Sequence, residues 1–183
     1  MELECDKRGM GWRFVAASDK QISSPEAFDM AIQSVSAHRR DKALAFRFEK
    51  DRRTSLLAGL LLDELLQGWG LRERDMAYEI GELGKPTFAD YPNLHFSLGH
   101  SAGMAVGALS NAAIGVDVEH LPSFLHDVAE PLSWTEMESV GKLLGCGVGK
   151  LLDAGHYERP PGVEVKHFRL GDYLVCMARD KSQ

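Results

Sequence analysis

Between residues 103 and 121 two runs, GMAVGALS and IGVDVEHL, predict a pair of strands joined by a short turn at Ser110 and Asn111. In the second run Val116 and Val118 share one face, while Asp117 and Glu119 share the other, because successive side chains of a strand point to opposite sides. Two neighbouring carboxylates repel, so that face is either solvated or holds a cation. GWRFVAAS near the start of the chain reads as a further strand, and VEVKHFRL with YLVCMARD reads as a closing hairpin that turns at Gly171 and Asp172. Helical periods lie between them. Ser24 and Pro25 open a helix that runs to about Val35. In DRRTSLLAGLLLDELLQ, Leu57, Leu60, Leu61 and Leu65 recur on one helical face, Gly68 or Gly70 stops the helix, and Trp69 packs just beyond it. Ser133 and Glu136 form a capping box for WTEMESVGKLL, which Gly145 ends. Glu138 and Lys142, four apart, meet on one face of that helix. Residues 76–101 are broken into short extended pieces by Gly84, Pro86 and Pro92. The mixture predicts an α+β fold.

Composition narrows the function classes. At 183 residues and 44% hydrophobic, the chain suits one domain or two small halves that share a core. A net charge of −6 argues against general nucleic-acid binding. Positive charge is nevertheless concentrated in residues 38–53, where Arg39, Arg40, Lys42, Arg47, Lys50, Arg52 and Arg53 make either an anion-binding stretch or a solvated helix of mixed charge. The N-terminus lacks the features of a secretory signal, and no apolar run approaches the ~20 residues that span a bilayer, which predicts a cytoplasmic protein with no membrane role. Cys5, Cys146 and Cys176 are odd in number and far apart, so neither a disulfide frame nor a zinc site is expected. GCGVGK is no phosphate loop: it lacks the required spacing, has Leu151 in place of Ser or Thr, and follows a helix.

The unusual polar features occur in a set order. Gly84-Lys85-Pro86 comes first, then Phe96-Ser97-Leu98-Gly99-His100-Ser101, then Gly115-Val116-Asp117-Val118-Glu119, then Trp134-Thr135 with Glu138, Ser139, Lys142 and Gly145. This order resembles the 4'-phosphopantetheinyl transferases, in particular the surfactin-synthetase-activating type, and the likeness extends from about Val35 to the final hairpin. It implies two related α+β halves, residues 1–111 and 112–183, that form an intramolecular pseudo-dimer with coenzyme A in the cleft between them. By the same resemblance Asp117, Glu119 and Glu138 ligate one Mg²⁺, a hard cation suited to oxygen ligands and phosphates. Glu138 accepts the proton of the attacking serine, and Lys142 stabilises the pyrophosphate and leaving group. His100 and Lys85 contact phosphates, and Arg52 or Arg53, with Arg53 preferred, takes the 3'-phosphate. The implied reaction moves phosphopantetheine from coenzyme A to a serine of an acyl or peptidyl carrier protein and releases 3',5'-ADP. A pseudo-dimer holds both halves of the cleft, so a monomer suffices.

Four departures from the family pattern stand out. Met137 replaces a lysine, Gly99 replaces the serine before His100, Ser97 stands where asparagine is usual, and only 14 residues separate Glu119 from Trp134. They motivate a second reading, a weakly active or non-catalytic relative that binds coenzyme A or a carrier protein.

Overall fold

The computed structural model describes residues 2–3, 12–124, 131–153 and 156–181. In chain order β1 (Glu2–Leu3) and β2 (Trp12–Ser18) precede three helices, α1 (Pro25–Ser34), α2 (Ala37–Leu44) and α3 (Glu49–Gln67). A small hairpin, β3 (Tyr78–Ile80) and β4 (Pro86–Phe88), leads to β5 (His95–Ser101), β6 (Met104–Ser110) and β7 (Ile114–His120). Then come α4 (Pro131–Leu144), the short pair β8 (Leu152–Asp153) and β9 (His156–Tyr157), and the hairpin β10 (Val163–Leu170) with β11 (Tyr173–Asp180). The α+β class holds. No helix among the described residues is long and apolar enough to cross a membrane.

Two antiparallel sheets carry the molecule, one ordered β1-β2-β6-β5 and the other β10-β11-β7. One expectation is corrected here: β6 and β7 do not pair, because the chain passes from the first sheet to the second at the Ser110–Asn111 turn. Strand alternation shows why. Phe14, Ala16, Val106 and Ala108 on one face of the first sheet pack against Ile114, Val116, Val118, Val175 and Met177 of the second. Val15, Ala105 and Leu109, on the opposite face, join the leucines of α3. Helix, sheet, sheet and helix thus form four layers, with α4 covering the outer face of β7 and β11 through Val140, Leu143 and Ala178. Leu56, Leu57, Leu61, Leu62, Leu65 and Leu66 of α3 are each at most 3% exposed, and each contributes about 1.5–3 kcal/mol by burial.

Local signals explain most boundaries. Ser24 caps α1 by accepting from Ala27 N, and Pro25 occupies its first turn. Gly145, with φ of 68°, ends α4. Three local expectations are corrected. The charged stretch 38–53 is not one helix face: Ser36 caps a separate α2, which ends at Leu44, and Arg52 Nε donates to Phe46 O across the break before α3. The capping box does not form, since α4 already begins at Pro131 and Glu136 instead accepts from Arg159 Nε at 2.7 Å, Arg159 Nη2 at 2.8 Å and the Tyr157 hydroxyl at 3.0 Å. A bidentate arginine pair outcompetes a cap. Trp69 is 39% exposed and so lies on the surface.

Candidate functional site

Asp117 and Glu119 lie on the face of β7 that α4 covers. Gly115, at the start of the same face, makes this packing possible: a Cβ there would stand 1.9 Å from Ser139 O and 2.5 Å from Leu143 N, both backbone atoms of α4. Trp134, Glu138 and Lys142, spaced by four, then face β7. Trp134 Nε1 donates to Glu119 Oε1 at 3.1 Å, and Lys142 Nζ donates to Asp117 Oδ1 at 2.6 Å. Glu138, between them, is half-buried and its charge acts on both Asp117 and Glu119.

The other side of these carboxylates is β5. Ser97 and Ser101 point to β7, where Ser97 Oγ accepts from Val116 N at 2.9 Å and Ser101 Oγ accepts from His120 N at 3.3 Å. Each bond spans 19 residues, so two hydroxyls staple the edges of the two sheets in one register. Ser101 also donates to Glu119 Oε2 at 2.9 Å. Gly99, between the two serines, leaves only tight space for a side chain, because a Cβ would stand 3.2 Å from Asp117 Cα and 3.3 Å from its Oδ1. The departures at Ser97 and Gly99 therefore have local reasons: one hydroxyl bridges the seam, and the missing side chain lets Asp117 approach.

Burial pushes the Asp117 carboxyl up to about 6, helped by the charges of Glu119 and Glu138 and opposed by Lys142. Burial raises Glu119 as well, against its bonds from Ser101 and Trp134. Among the described residues no three His, Cys, Asp or Glu side chains converge closely enough to hold a metal ion. Asp117 Oδ2 is nevertheless buried without a hydrogen-bond partner. Asp117, Glu119 and Glu138 offer oxygen ligands of the chemical kind Mg²⁺ takes, with one Asp117 oxygen unpartnered, although the three side chains do not converge on one point as they stand.

Lys142 also lines a cavity of about 240 Å³, with Arg39, Lys42 and Lys85 as its other cations and Leu83, Pro86, Phe96 and Leu98 among its apolar walls. Lys85 Nζ donates to Leu143 O at 2.9 Å, which places its charge at the C-terminus of α4. Burial holds Lys85 below its ordinary value, and burial followed by the Arg39 and Lys142 charges does the same to Lys42. Crowded cations lining a half-open cavity favour an anion.

The remaining candidates lie elsewhere. His100 lines a second cavity of about 370 Å³ with Asp19, Lys50, Asp51 and Thr54. Desolvation, Lys142 and Lys42 lower its pKa. Arg53 pairs with Glu49 and, at 3.8 Å, with Asp19. Neither Arg52 nor Arg53 lines the first cavity, where Arg39 and Lys42 stand instead. Arg39 and Lys42 both belong to the basic stretch 38–53, which the sequence marks as an anion-binding candidate without assigning either residue to the coenzyme A site. The signal available was position: residues 39 and 42 are three apart on a short helix whose apolar Ala43 fixes the inward face. Residues 125–130 of the segment after Leu121 lie outside the described residues.

No family model matches the chain. Among curated proteins it is similar to 4'-phosphopantetheinyl transferase ffp of Bacillus subtilis, 32% identical over 113 residues, which cover 61% of this chain and 50% of that protein. It is also similar to 4'-phosphopantetheinyl transferase psf-1 of Bacillus pumilus, 33% identical over 112 residues that cover 61% and 46%. Against 4'-phosphopantetheinyl transferase Sfp of Bacillus subtilis strain 168 the identity is 26% over 113 residues, covering 61% and 50%. The chain spans about half the length of the curated relatives it matches. The motif order and these likenesses agree: the chain is similar to the 4'-phosphopantetheinyl transferases, and in particular to those of the Sfp-like type.

Proposed function

We propose that this protein transfers 4'-phosphopantetheine from coenzyme A to a serine hydroxyl of an acyl or peptidyl carrier protein, with Mg²⁺, releasing 3',5'-ADP. The observation that carries the reading is Lys142, which belongs at once to the cationic cavity and to the buried carboxylate face. Phosphoryl transfer needs positioning and charge neutralisation more than covalent chemistry, and a row of cations ending at a carboxylate cluster supplies both.

In this reading Asp117, Glu119 and Glu138 would hold the Mg²⁺, Asp117 Oδ2 being buried and without a hydrogen-bond partner. The cation supplies neutralisation of the pyrophosphate when bound. Glu138 takes the proton of the serine hydroxyl, whose oxygen bonds to the β-phosphorus while the bond from that phosphorus to 3',5'-ADP breaks. Lys142 balances the charge on the departing phosphate. We assign the 3'-phosphate to Arg39 and Lys42 in preference to Arg53, because Arg53 is already paired with Glu49 and Asp19. Lys85 serves the nucleotide phosphates, and His100, in the adjoining space, a phosphate oxygen. The two sheet-and-helix layers are read as the related halves 1–111 and 112–183, and one chain then suffices for a monomeric, cytoplasmic enzyme.

The test is the intact mass of apo acyl and peptidyl carrier proteins after incubation with the protein, coenzyme A and Mg²⁺. Addition of one phosphopantetheine group, abolished by EDTA, is the expected result. No addition to any carrier, with coenzyme A still bound, would instead favour the binding-module reading.

A further inference from the structure

Arg39 is 4% exposed, and its Nε and Nη2 are buried with no hydrogen-bond partner. Its guanidinium lies over the rings of Tyr78 and Phe96, at 5.5 and 5.6 Å. On helix α2 it packs against Gly59 of α3, where a Cβ would come within 3.5 Å of the Arg39 Cβ. Aromatic faces and helix packing therefore hold this side chain in place at the cavity wall.

Behind it lies Glu73, which is fully buried. Its oxygens accept from Ser36 N at 2.6 Å, Ser36 Oγ at 2.7 Å and the Tyr78 hydroxyl at 2.5 Å. Arg39 Nε is 3.9 Å away, too far for a hydrogen bond. Glu73 does not grip Arg39 at all; it opposes its charge through space.

We propose that Glu73 is a buried counter-charge that sets, and limits, the affinity of the cationic cavity for phosphate. The inference rests on the reading of that cavity as the coenzyme A site. Two of its four cations are backed in this way, Arg39 by Glu73 and Lys142 by Asp117, so the cavity presents less net charge than its lining suggests. Without a ligand, the carboxylate keeps a desolvated guanidinium tolerable. With a ligand, the phosphate takes over part of that task, and the residual repulsion from Glu73 keeps the nucleotide product from binding too tightly to leave.

Glu73→Gln keeps the shape of the network, because the amide oxygen can accept from Ser36 N while the amide nitrogen donates to the two hydroxyls. Binding of coenzyme A and 3',5'-ADP is measured by calorimetry, and melting with and without ligand. The wild type binds both; absence of binding there would overturn the coenzyme A reading itself. In Glu73→Gln the expected result is about tenfold tighter 3',5'-ADP, a lower melting temperature without ligand, and a larger rise on adding it. A merely structural residue would lower the melting temperature without tightening the ligand. Affinity equal to or weaker than the wild type would overturn the proposal. Should that variant not fold, Arg39→Gln with Glu73→Gln removes both charges together and is compared with Arg39→Gln alone. Tighter binding in the pair supports the counter-charge, and equal binding overturns it.

Discussion

In the proposed reading, Asp117 trades stability for function. Burial pushes its carboxyl up to about 6 in the folded chain against an ordinary 3.8, so the folded state binds this proton more tightly than the unfolded state. Stability then falls as pH rises between about 4 and 6, by on the order of 2–3 kcal/mol, and stays low above that range. Asp117→Asn is expected to unfold at higher urea than the wild type at pH 7 in EDTA, to match it near pH 4, and to lose transferase activity. Equal midpoints at pH 7 would contradict the burial argument. Glu138 is a different case, being half-buried and holding no side-chain hydrogen bond among the described residues. Glu138→Gln should lower kcat by orders of magnitude while leaving the melting temperature nearly unchanged; normal turnover would remove it from both proton transfer and the Mg²⁺ site.

Helix α4 carries three site residues only because its backbone lies directly on β7. The contact is made at Gly115, where even a methyl group would meet backbone atoms that have nowhere to move. Gly115→Ala is therefore expected to cost more than about 4 kcal/mol, read as loss of soluble protein or a large drop in melting temperature. Gly147, which has open space around its α-carbon, should accept alanine within ~0.5 kcal/mol. Similar effects of the two substitutions would refute the packing account. The glycine of the G-V-D-V-E run is thus explained by helix packing, and the acids after it by the face that packing covers.

The two sheets share an apolar layer built from both, and β5 and β7 are stapled by Ser97 and Ser101. Neither sheet covers that layer alone. Equilibrium denaturation should accordingly show one transition, with near-UV and far-UV signals coincident. Two separated transitions would mean that the sheet-and-helix units fold independently, and that the seam beside Asp117 contributes little.

Much of this was legible in local chemistry. Alternation placed β2, β6, β7, β10 and β11, and it put Asp117 and Glu119 on one face, because a strand leaves a side chain only two directions. The leucines of α3 and the Ser24-Pro25 start of α1 are equally local signals. Four motifs in order were enough to point to the family. What pairs with what was not legible: β6 and β7 look like a hairpin along the chain, yet lie in different sheets, since pairing depends on which apolar faces meet across the core. Nor could charge alone sort the basic stretch. Arg39 and Lys42 turn to the cavity while Arg52 and Arg53 tie down the start of α3, a division set by the break after Leu44 and by the packing of α2 on Gly59. Glu73 had no signature in the chain at all, because its role comes from the buried guanidinium that folding brings beside it.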